Sequence, residues 1–357
     1  MTKYCLGIEI GGSKLQLGLG EGRSASLQGL WRASIDLARG AEGIRERIVQ
    51  GYAELLAQTG VARSQVAGAG IAFGGPVNAD QGMTVTSHQV HGWDQFPLAQ
   101  WCQDHLGLPA SLQNDADTAA LAEALFGAGQ GFNPVMYLTV GSGIGGGLIL
   151  GGKIYRGCGP GALEIGHLRP GQLPRHVPVS GGTVESIGSG FGITQRAQAA
   201  IDGYLETAKF VQSHHGRSPH QGQVDPEFAS RFKPAQDRFA RLWDLCGGDP
   251  SKINTQMIAQ GARDGDRLSL ELFSDATSVI GWAIAQAITL VNPGRVVIGG
   301  GVSLIGEELF FAPVRRAVAQ HVFGPFAGLA EIVPAALQEE VVVYGAVAVA
   351  ADAFLKS

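Results

Sequence analysis

The chain has 357 residues, of which 54 are glycine, and it carries a net charge of −5 at pH 7. Glycine does not recur at every third position, which excludes collagen, and 45% hydrophobic residues exclude a disordered chain. The length predicts two domains, and the acidic balance gives no electrostatic footprint for nucleic acid or an anionic membrane.

The N-terminal part predicts a strand, a glycine-containing turn and a second strand. The two strands are Tyr4–Ile10 and Leu15–Leu19, joined by residues 11–14. The elements predicted after them are a helix over 41–58, a strand at Val66–Phe73, a helix at Leu98–Leu106 and an alanine-rich helix that follows Asn114 and Asp115 and stops at Gly127.

A second unit of the same kind follows, with strands Val135–Val140 and Gly146–Leu150 around the turn at 141–143. The two units match in pattern when Gly11 is set against Ser142, which indicates an internal duplication with one nucleotide-facing hairpin in each domain. Later predicted features are a histidine- and aromatic-containing segment at 202–249 that Pro234 would interrupt, a strand at Arg295–Ile298 and a closing helix from Gly345 to Leu355.

The cysteine pattern and the hydropathy predict a cytoplasmic protein. The four cysteines are far apart and lack CxxC spacing, which favours reduced thiols over a disulfide framework. Glu9 interrupts the first apolar stretch, which argues against a signal peptide. Residues 276–294 carry no charge, but polar side chains within them favour a buried helix over a membrane span.

The glycine-rich turns have two interpretations. Residues 141–146 match GxGxxG, yet they continue into a strand where a dinucleotide-binding fingerprint would open a helix, and no P-loop motif occurs. Turns that nearly lack side chains let backbone N–H groups approach phosphate oxygens. The simpler alternative is a pair of tight hairpin turns. Two matching hairpins and a third glycine run after a strand favour a nucleotide.

Six motifs occur in a fixed order: GIEIGGSK at 7–14, GGPV at 74–77, NDA at 114–116, GSGIGGG at 141–147, GALEIGH at 161–167 and GGGV at 299–302. Together they resemble the ROK family of sugar kinases, which are bacterial glucokinase-like members of the actin/hexokinase/Hsp70 superfamily. The resemblance implies an α/β, two-domain actin-like ATPase fold, a duplicated ribonuclease H-like fold with an interdomain cleft. The implied small domain comprises residues 1–115 and about 344–357, and the large domain comprises 116–343 with an insertion at about 202–249.

The resemblance further implies ATP-dependent phosphorylation of the 6-hydroxyl of a hexose or N-acetylhexosamine, with ATP and Mg²⁺. Asp115 matches the general base of the family, although the residue taken alone is better explained as a helix N-cap. For Glu164 and His167 the alternative is a salt-bridged glutamate and a structural histidine. The implied substrate contacts are Gly75, Asn114, Asp115, Glu164, His167 and Glu185.

The implied nucleotide contacts are Glu9, Gly11, Gly12, Ser13, Lys14, Ser142, Gly143, Gly299, Gly300 and Gly301. Glu9 stands where the family has an aspartate facing the Mg²⁺–phosphate region, and its extra methylene would displace a metal-bound water. This departure supports an alternative function, a catalytically weak sugar-binding or sugar-sensing paralogue without a DNA-binding domain. Gln89 stands where an asparagine is common, which predicts a different sugar preference.

Two further expectations concern partners. The family often holds a structural zinc through a histidine and three cysteines, but residues 177–185 contain no cysteine, so no zinc is expected. ROK repressors carry a helix-turn-helix before the first motif, which here begins at Gly7, so DNA is not an expected partner. The identity of the sugar, the choice between ATP and polyphosphate, and the oligomeric state, including a homodimer, stay open.

Overall fold

The computed structural model describes residues 2–87, 89–159, 161–171, 182–214 and 237–355. Two five-stranded sheets and one short hairpin hold the strands of these residues. The strands are β1 Tyr4–Ile10, β2 Lys14–Gly20, β3 Gly29–Ser34, β4 Val66–Phe73, β5 Val77–Asn78, β6 Met83–Thr84, β7 Ala110–Asn114, β8 Val135–Val140, β9 Ile144–Leu150, β10 Lys153–Ile154, β11 Arg295–Gly299 and β12 Glu331–Pro334.

Helices cover both sheets. They are α1 Gly40–Thr59, α2 Leu98–Leu106, α3 Asp115–Phe126, α4 Val184–Gly188, α5 Gly190–His214, α6 Ala240–Leu245, α7 Thr255–Arg263, α8 Arg267–Val291, α9 Ala312–His321 and α10 Val341–Phe354. The closing helix therefore begins four residues before the predicted Gly345. The predicted segment at 202–249 lies mostly outside the described residues, which include only α5 up to position 214 and the chain from 237 onward.

The two sheets repeat one topology. Their strand orders are β3-β2-β1-β4-β7 and β10-β9-β8-β11-β12. In each sheet the first three strands pair antiparallel and the last two join in parallel. The duplication predicted from the two hairpins thus extends to entire sheets. The turns differ by one residue, because Ile10 pairs with Leu15 whereas Val140 pairs with Ile144.

Apolar side chains on both faces of the strands form the cores. In the first sheet Leu6, Ile8 and Leu17 are almost fully buried and pack in one cluster with Ile48 and Leu55 of α1. Strands covered on both faces are expected to be continuously apolar, as β1 is apart from Gly7 and Glu9. The polar Glu9 within such a strand therefore needs a specific explanation.

Helix α8 is the core helix of the second sheet. Among the described residues it alone is long and apolar enough to cross a membrane, yet 56% of its most apolar window is buried inside the protein. Phe273, Ile280 and Ile284 pack in the cluster that contains Met136 and Leu138 of β8. The buried helix predicted within 276–294 is confirmed and starts further upstream, at Arg267.

Helices α3 and α10 lie between the sheets and pack against each other. A methyl group on Gly345 of α10 would lie 2.0 Å from the carbonyl oxygen of Thr118 of α3. A methyl group on Gly70 of β4 would lie 1.9 Å from the carbonyl oxygen of Ala346. Glycine permits this close backbone contact, which fixes the N-terminus of α3 beside the first sheet. The domain division at residue 115 stays a prediction.

Candidate active site

The first hairpin turn and the GGPV motif lie side by side at the carboxyl ends of β1 and β4. The N–H of Gly11 donates to the carbonyl of Lys14 at 3.0 Å, and the N–H of Gly74 donates to the carbonyl of Ile10 at 2.9 Å. A methyl group on Gly74 would lie 3.3 Å from Oδ2 of Asp115. The structure thus brings three sequence-predicted motifs together around the carboxylate of Asp115.

Asn114, and not Asp115, caps helix α3. Its side-chain oxygen accepts from the N–H groups of Ala116 at 2.9 Å and Asp117 at 3.3 Å, and its Nδ2 donates to the carbonyl of Gly75 at 3.1 Å. Asp115 occupies the first helical position, where Oδ1 accepts from the N–H of Ala116 at 2.8 Å. Asp115 is therefore available for a role other than capping, as the resemblance required.

The environment of Asp115 suits a general base. Burial raises the pKa of this carboxyl to about 6, the backbone N–H groups and Asn114 act in the opposite direction, and the nearby Glu164 raises it further. A base works best when its pKa lies near the working pH, because it is then ionised and still binds a proton well. This carboxylate can take a proton from a hydroxyl group placed beside it.

Glu9 is buried in an ion pair within the first hairpin. It is 4% exposed, with Oε1 3.1 Å from Nζ of Lys14 and Oε2 accepting from Nε2 of Gln16 at 3.1 Å. Burial raises the pKa of Glu9 to about 7, although Lys14 lowers it. Lys14 also donates to the carbonyl of Glu339 at 3.3 Å, in the segment before α10. Both oxygens of Glu9 are engaged, which explains how the longer side chain is accommodated.

The second hairpin is held by the start of α5 and by Glu185. The N–H of Gly190 donates to the carbonyl of Gly141 at 2.8 Å. Glu185 accepts at Oε2 from the N–H of Ile144 at 2.8 Å, and a methyl group on Gly143 would lie 2.6 Å from the same oxygen. Glu185 was predicted as a sugar contact, and its link to the predicted phosphate hairpin was missed. The sugar contact stays a prediction.

The third glycine run, residues 299–301, packs against the second hairpin. Gly300 has φ +87°, and a methyl group there would lie 2.6 Å from backbone atoms of Val140. The N–H of Val302 donates to the carbonyl of Val140 at 2.9 Å. Around Gly301, by contrast, a methyl group would meet nothing within 4 Å. The third glycine run therefore packs through Gly300 against Val140, the residue before Gly141, and open space remains beside Gly301.

Glu164 and His167 lie on an exposed segment that faces α3. Glu164 precedes a 3₁₀ turn, Ile165–His167, and His167 ends that turn, with its N–H donating to the carbonyl of Glu164 at 3.1 Å. Leu163 just before them has φ +60°, a strained value for leucine of the kind that occurs at functional sites. Glu164 is close enough to Asp115 and Asp117 to raise the pKa of both carboxyl groups. Among the described residues, neither Glu164 nor His167 makes the side-chain ion pair or hydrogen bond that would be expected if the two residues were only structural.

Two buried acids on α3 were not predicted as functional. Asp117 is 3% exposed, and Glu123 is fully buried. Glu123 accepts from the N–H groups of Ala128, Ala336 and Leu337 at 2.8 to 2.9 Å. The sequence did contain a signal for these buried acids, which is an acidic residue within an alanine- and leucine-rich helix. It does not show which backbone N–H groups such an acid binds.

Among the described residues no group of three or more histidine, cysteine, aspartate or glutamate side chains could hold a metal ion. Residues 177–181, on which the prediction of no zinc partly rests, lie outside those residues. The four cysteines are free thiols, three of them buried and Cys158 exposed.

A comparison with protein families matches the ROK family model over residues 5–353. The chain belongs to the ROK family. It is 27% identical over 344 residues to the glucokinase of Thermotoga maritima, covering 96% of each chain. It is 27% identical over 286 residues to the xylose repressor of Caldicellulosiruptor bescii, covering 79% of this chain and 62% of the repressor.

Solved structures of ROK proteins share the fold. A ROK family glucokinase from Streptomyces griseus, solved with glucose and AMPPNP, superposes with a TM-score of 0.74 at 26% identity, covering 98% of this chain and 99% of that one. A ROK hexokinase from Thermus thermophilus gives a TM-score of 0.71 at 24% identity, with 97% of each chain covered. The actin-like ATPase fold expected from the sequence is confirmed, and the similarity to sugar kinases spans nearly the whole chain.

Proposed function

We propose that this chain is a sugar kinase that transfers the γ-phosphoryl group of ATP to the 6-hydroxyl of a glucose-like hexose or N-acetylhexosamine. The observation that carries the proposal is the position of Asp115. Its Oδ2 lies beside Gly74 and the first hairpin, its pKa is raised to about 6, and Glu164 lies nearby. Similarity to kinases named for glucose and for N-acetylmannosamine supports this substrate class.

In the proposed reaction Asp115 accepts the proton of the sugar hydroxyl while that oxygen forms a bond to the γ-phosphorus. The bond from the γ-phosphorus to the bridging oxygen breaks, and ADP leaves. Asn114 and Gly75 orient the sugar from the side of the first sheet, and Glu164, His167 and Glu185 orient it from the other side. A carboxylate can accept hydrogen bonds from two adjacent sugar hydroxyls.

The proposed phosphate contacts come from three glycine-rich turns and one ammonium group. Backbone N–H groups near Gly12, Ser13 and Gly143, with the hydroxyl of Ser142, bind phosphate oxygens without bulky side chains in the way. Gly11 permits the first turn, Gly299, Gly300 and Gly301 line the adenosine side, and Lys14 supplies positive charge. Placing these groups before the reaction is the main contribution that a protein makes to phosphoryl transfer.

Mg²⁺ enters this proposal as part of the MgATP substrate. Both oxygens of Glu9 are already engaged by Lys14 and Gln16, so the nucleotide phosphates together with water would supply the ligands of the metal. We propose that the protein holds no structural zinc, because the cysteines that would bind it are absent from 177–185. Metal analysis of the purified protein that found one zinc per chain would disprove this. We further propose a cytoplasmic location, where sugar and ATP are available.

The second candidate is a catalytically weak sugar-binding or sugar-sensing paralogue. The specific observation in its favour is the ion pair between the buried Glu9 and the partly exposed Lys14, which engages the lysine proposed to contact phosphate. Relatives that are named as xylose repressors show that ROK chains also serve as regulators. Under this candidate sugar and nucleotide bind, but phosphoryl transfer does not exceed the background rate.

A coupled assay of ADP release separates the two candidates. The purified chain is mixed with MgATP and glucose, N-acetylglucosamine, N-acetylmannosamine, mannose or fructose, with polyphosphate as a second donor in a parallel assay of sugar phosphate. We expect turnover with at least one sugar and its loss in Asp115→Ala. Sugar binding by calorimetry without turnover would support the paralogue. Full turnover by Asp115→Ala would disprove the assignment of the base.

A further inference from the structure

Asp117 is a buried carboxylate without a hydrogen-bond partner. It lies on α3 two residues after Asp115, is 3% exposed, and has an enclosed Oδ1 that no donor reaches among the described residues. Buried polar atoms almost always have a partner, because leaving water without one is costly. An exception beside the proposed base therefore needs an explanation.

The charged groups that act on Asp117 are two acids and one cation. Burial raises the pKa of Asp117 to about 7, and Glu164 and Asp115 raise it, whereas Arg156 lowers it. Arg156 is thus the group in this neighbourhood that would compensate an ionised Asp117. In the present structure it is not hydrogen-bonded to Asp117.

Arg156 instead contacts an exposed acid, Asp80, which lies between β5 and β6. Its NH1 lies 3.3 Å from Oδ1 of Asp80, whose side chain is 88% exposed. Exposed ion pairs contribute little to stability because water screens them. A partner in a buried position would bind the guanidinium more strongly, provided that the arginine can reach it.

The surroundings of Arg156 leave room for that movement. Arg156 lines a cavity of about 540 Å³ shared with Asp80 and also a cavity of about 500 Å³ shared with Gln113 and Leu121, on the side of α3. The next residue, Gly157, has φ +63°, so the chain turns sharply there. Arg156 lies eight residues before Glu164 along the chain, and residues 156–159 and 161–164 are among those described.

We infer that Asp117 is a positioning residue that pairs with Arg156 when sugar binds and so draws Arg156 and the residues just after it toward α3. The pair fixes Glu164 relative to Asp115 without touching the sugar itself. This inference rests on the proposed function. It predicts an effect on sugar binding and none on nucleotide binding, since among the described residues no hydrogen bond or ion pair joins the side chain of Asp117 or Asp80 to the turn at 141–143.

The test compares the two acids that Arg156 can reach. Asp117→Asn keeps the shape and removes the charge, and Asp80→Asn is the matched control. We expect Asp117→Asn and Arg156→Met each to raise the sugar KM by about tenfold or more, the scale of a lost charge-assisted pair. The KM for ATP and kcat stay within about twofold, and the double variant shows no further increase.

Asp80→Asn is expected to leave the sugar KM within about twofold of the wild type. An unchanged sugar KM in Asp117→Asn, or an effect confined to Asp80→Asn, would overturn the inference while leaving the kinase proposal intact. If the wild type shows no turnover, sugar dissociation constants from calorimetry replace KM, and failure of the wild type to bind any of the five sugars would overturn both. Thermal melting identifies misfolding, because removing an unpaired buried charge does not lower stability.

Discussion

The carboxylate of Glu185 accepts a hydrogen bond from the backbone N–H of Ile144 at 2.8 Å, at the point where the second hairpin turn enters β9. A residue expected from the sequence to contact sugar thus also fixes the turn expected to contact phosphate. The two roles require different atoms, because one oxygen is used by the backbone and the other is left for a ligand.

Glu185→Gln and Glu185→Ala separate these roles. Glutamine still accepts from the N–H of Ile144 but has a single acceptor oxygen, so we expect a sugar KM raised about tenfold or more with ADP binding within about threefold. Alanine removes both contacts and is expected to weaken sugar and ADP binding together. A normal sugar KM in Glu185→Gln would contradict the proposed sugar contact.

The proposed base predicts the acid limb of the pH profile. With the pKa of Asp115 raised to about 6, the carboxylate is ionised above that pH, so kcat/KM is expected to rise with pH through about 6 and to level above about 7. Asp115→Asn is expected to lower kcat by about 10² to 10⁴ and to abolish the limb. Persistence of the same limb in Asp115→Asn would assign it to another group.

Buried acids predict that the ligand-free protein loses stability as the pH rises. The pKa of Glu9 is raised from 4.5 to about 7, so the folded state binds more protons than the unfolded state between these values. Unfolding free energy therefore falls as pH increases from about 4 to about 7, by at most about 3 kcal/mol from this group. Melting temperatures at pH 5 and pH 8 measure the decrease.

Glu9→Gln is the variant for this prediction, and Glu21→Gln, at an exposed position, is its control. We expect Glu9→Gln to reduce the decrease between pH 5 and pH 8 and the control to leave it unchanged. A melting temperature of Glu9→Gln that fell as much as that of the wild type would show that the Lys14 pair fully compensates the burial of Glu9.

Adjacent glycines in the third run are expected to respond differently to alanine. Gly300→Ala forces a positive φ on a residue with a side chain and places a methyl group 2.6 Å from the Val140 backbone, so we expect a loss of about 2 kcal/mol or more. Gly301→Ala meets no atom within 4 Å and is the matched control, with a change within about 0.5 kcal/mol. Denaturant unfolding measures both, and equal losses would contradict the assignment.

Local patterns predicted much of this molecule. The bounds of β1, β4, β8 and α2 follow directly from apolar runs and glycine or proline boundaries. The edge strands β3 and β12 were not predicted, because they are short and half exposed and so lack a clear alternation.

The candidate site was likewise predicted only in part from the sequence. The glycine-rich turns could be predicted from the sequence because glycine has local requirements, whereas the role proposed for Asp115 came from the resemblance to the ROK family. Three other features of the site are tertiary: Glu185 accepts a hydrogen bond from the N–H of Ile144, Glu9 pairs with Lys14, and Asp117 has no hydrogen-bond partner among the described residues. Each depends on which distant backbone or side chain a buried group meets. Such contacts arise from tertiary packing, and a single sequence does not encode them in a readable pattern.

Glu123 ties the far end of α3 to the N–H groups of residues 336 and 337, and Lys14 binds the carbonyl of residue 339 in the same segment. The proposed base and the proposed phosphate-binding lysine are therefore braced through one short piece of chain. Their separation is set before any ligand arrives, so we expect any rearrangement on ligand binding to occur on the opposite side of the proposed site, which carries Glu164 and Glu185. Preorganisation of one wall and adaptation of the other would let ROK chains change their sugar without rebuilding the chemistry.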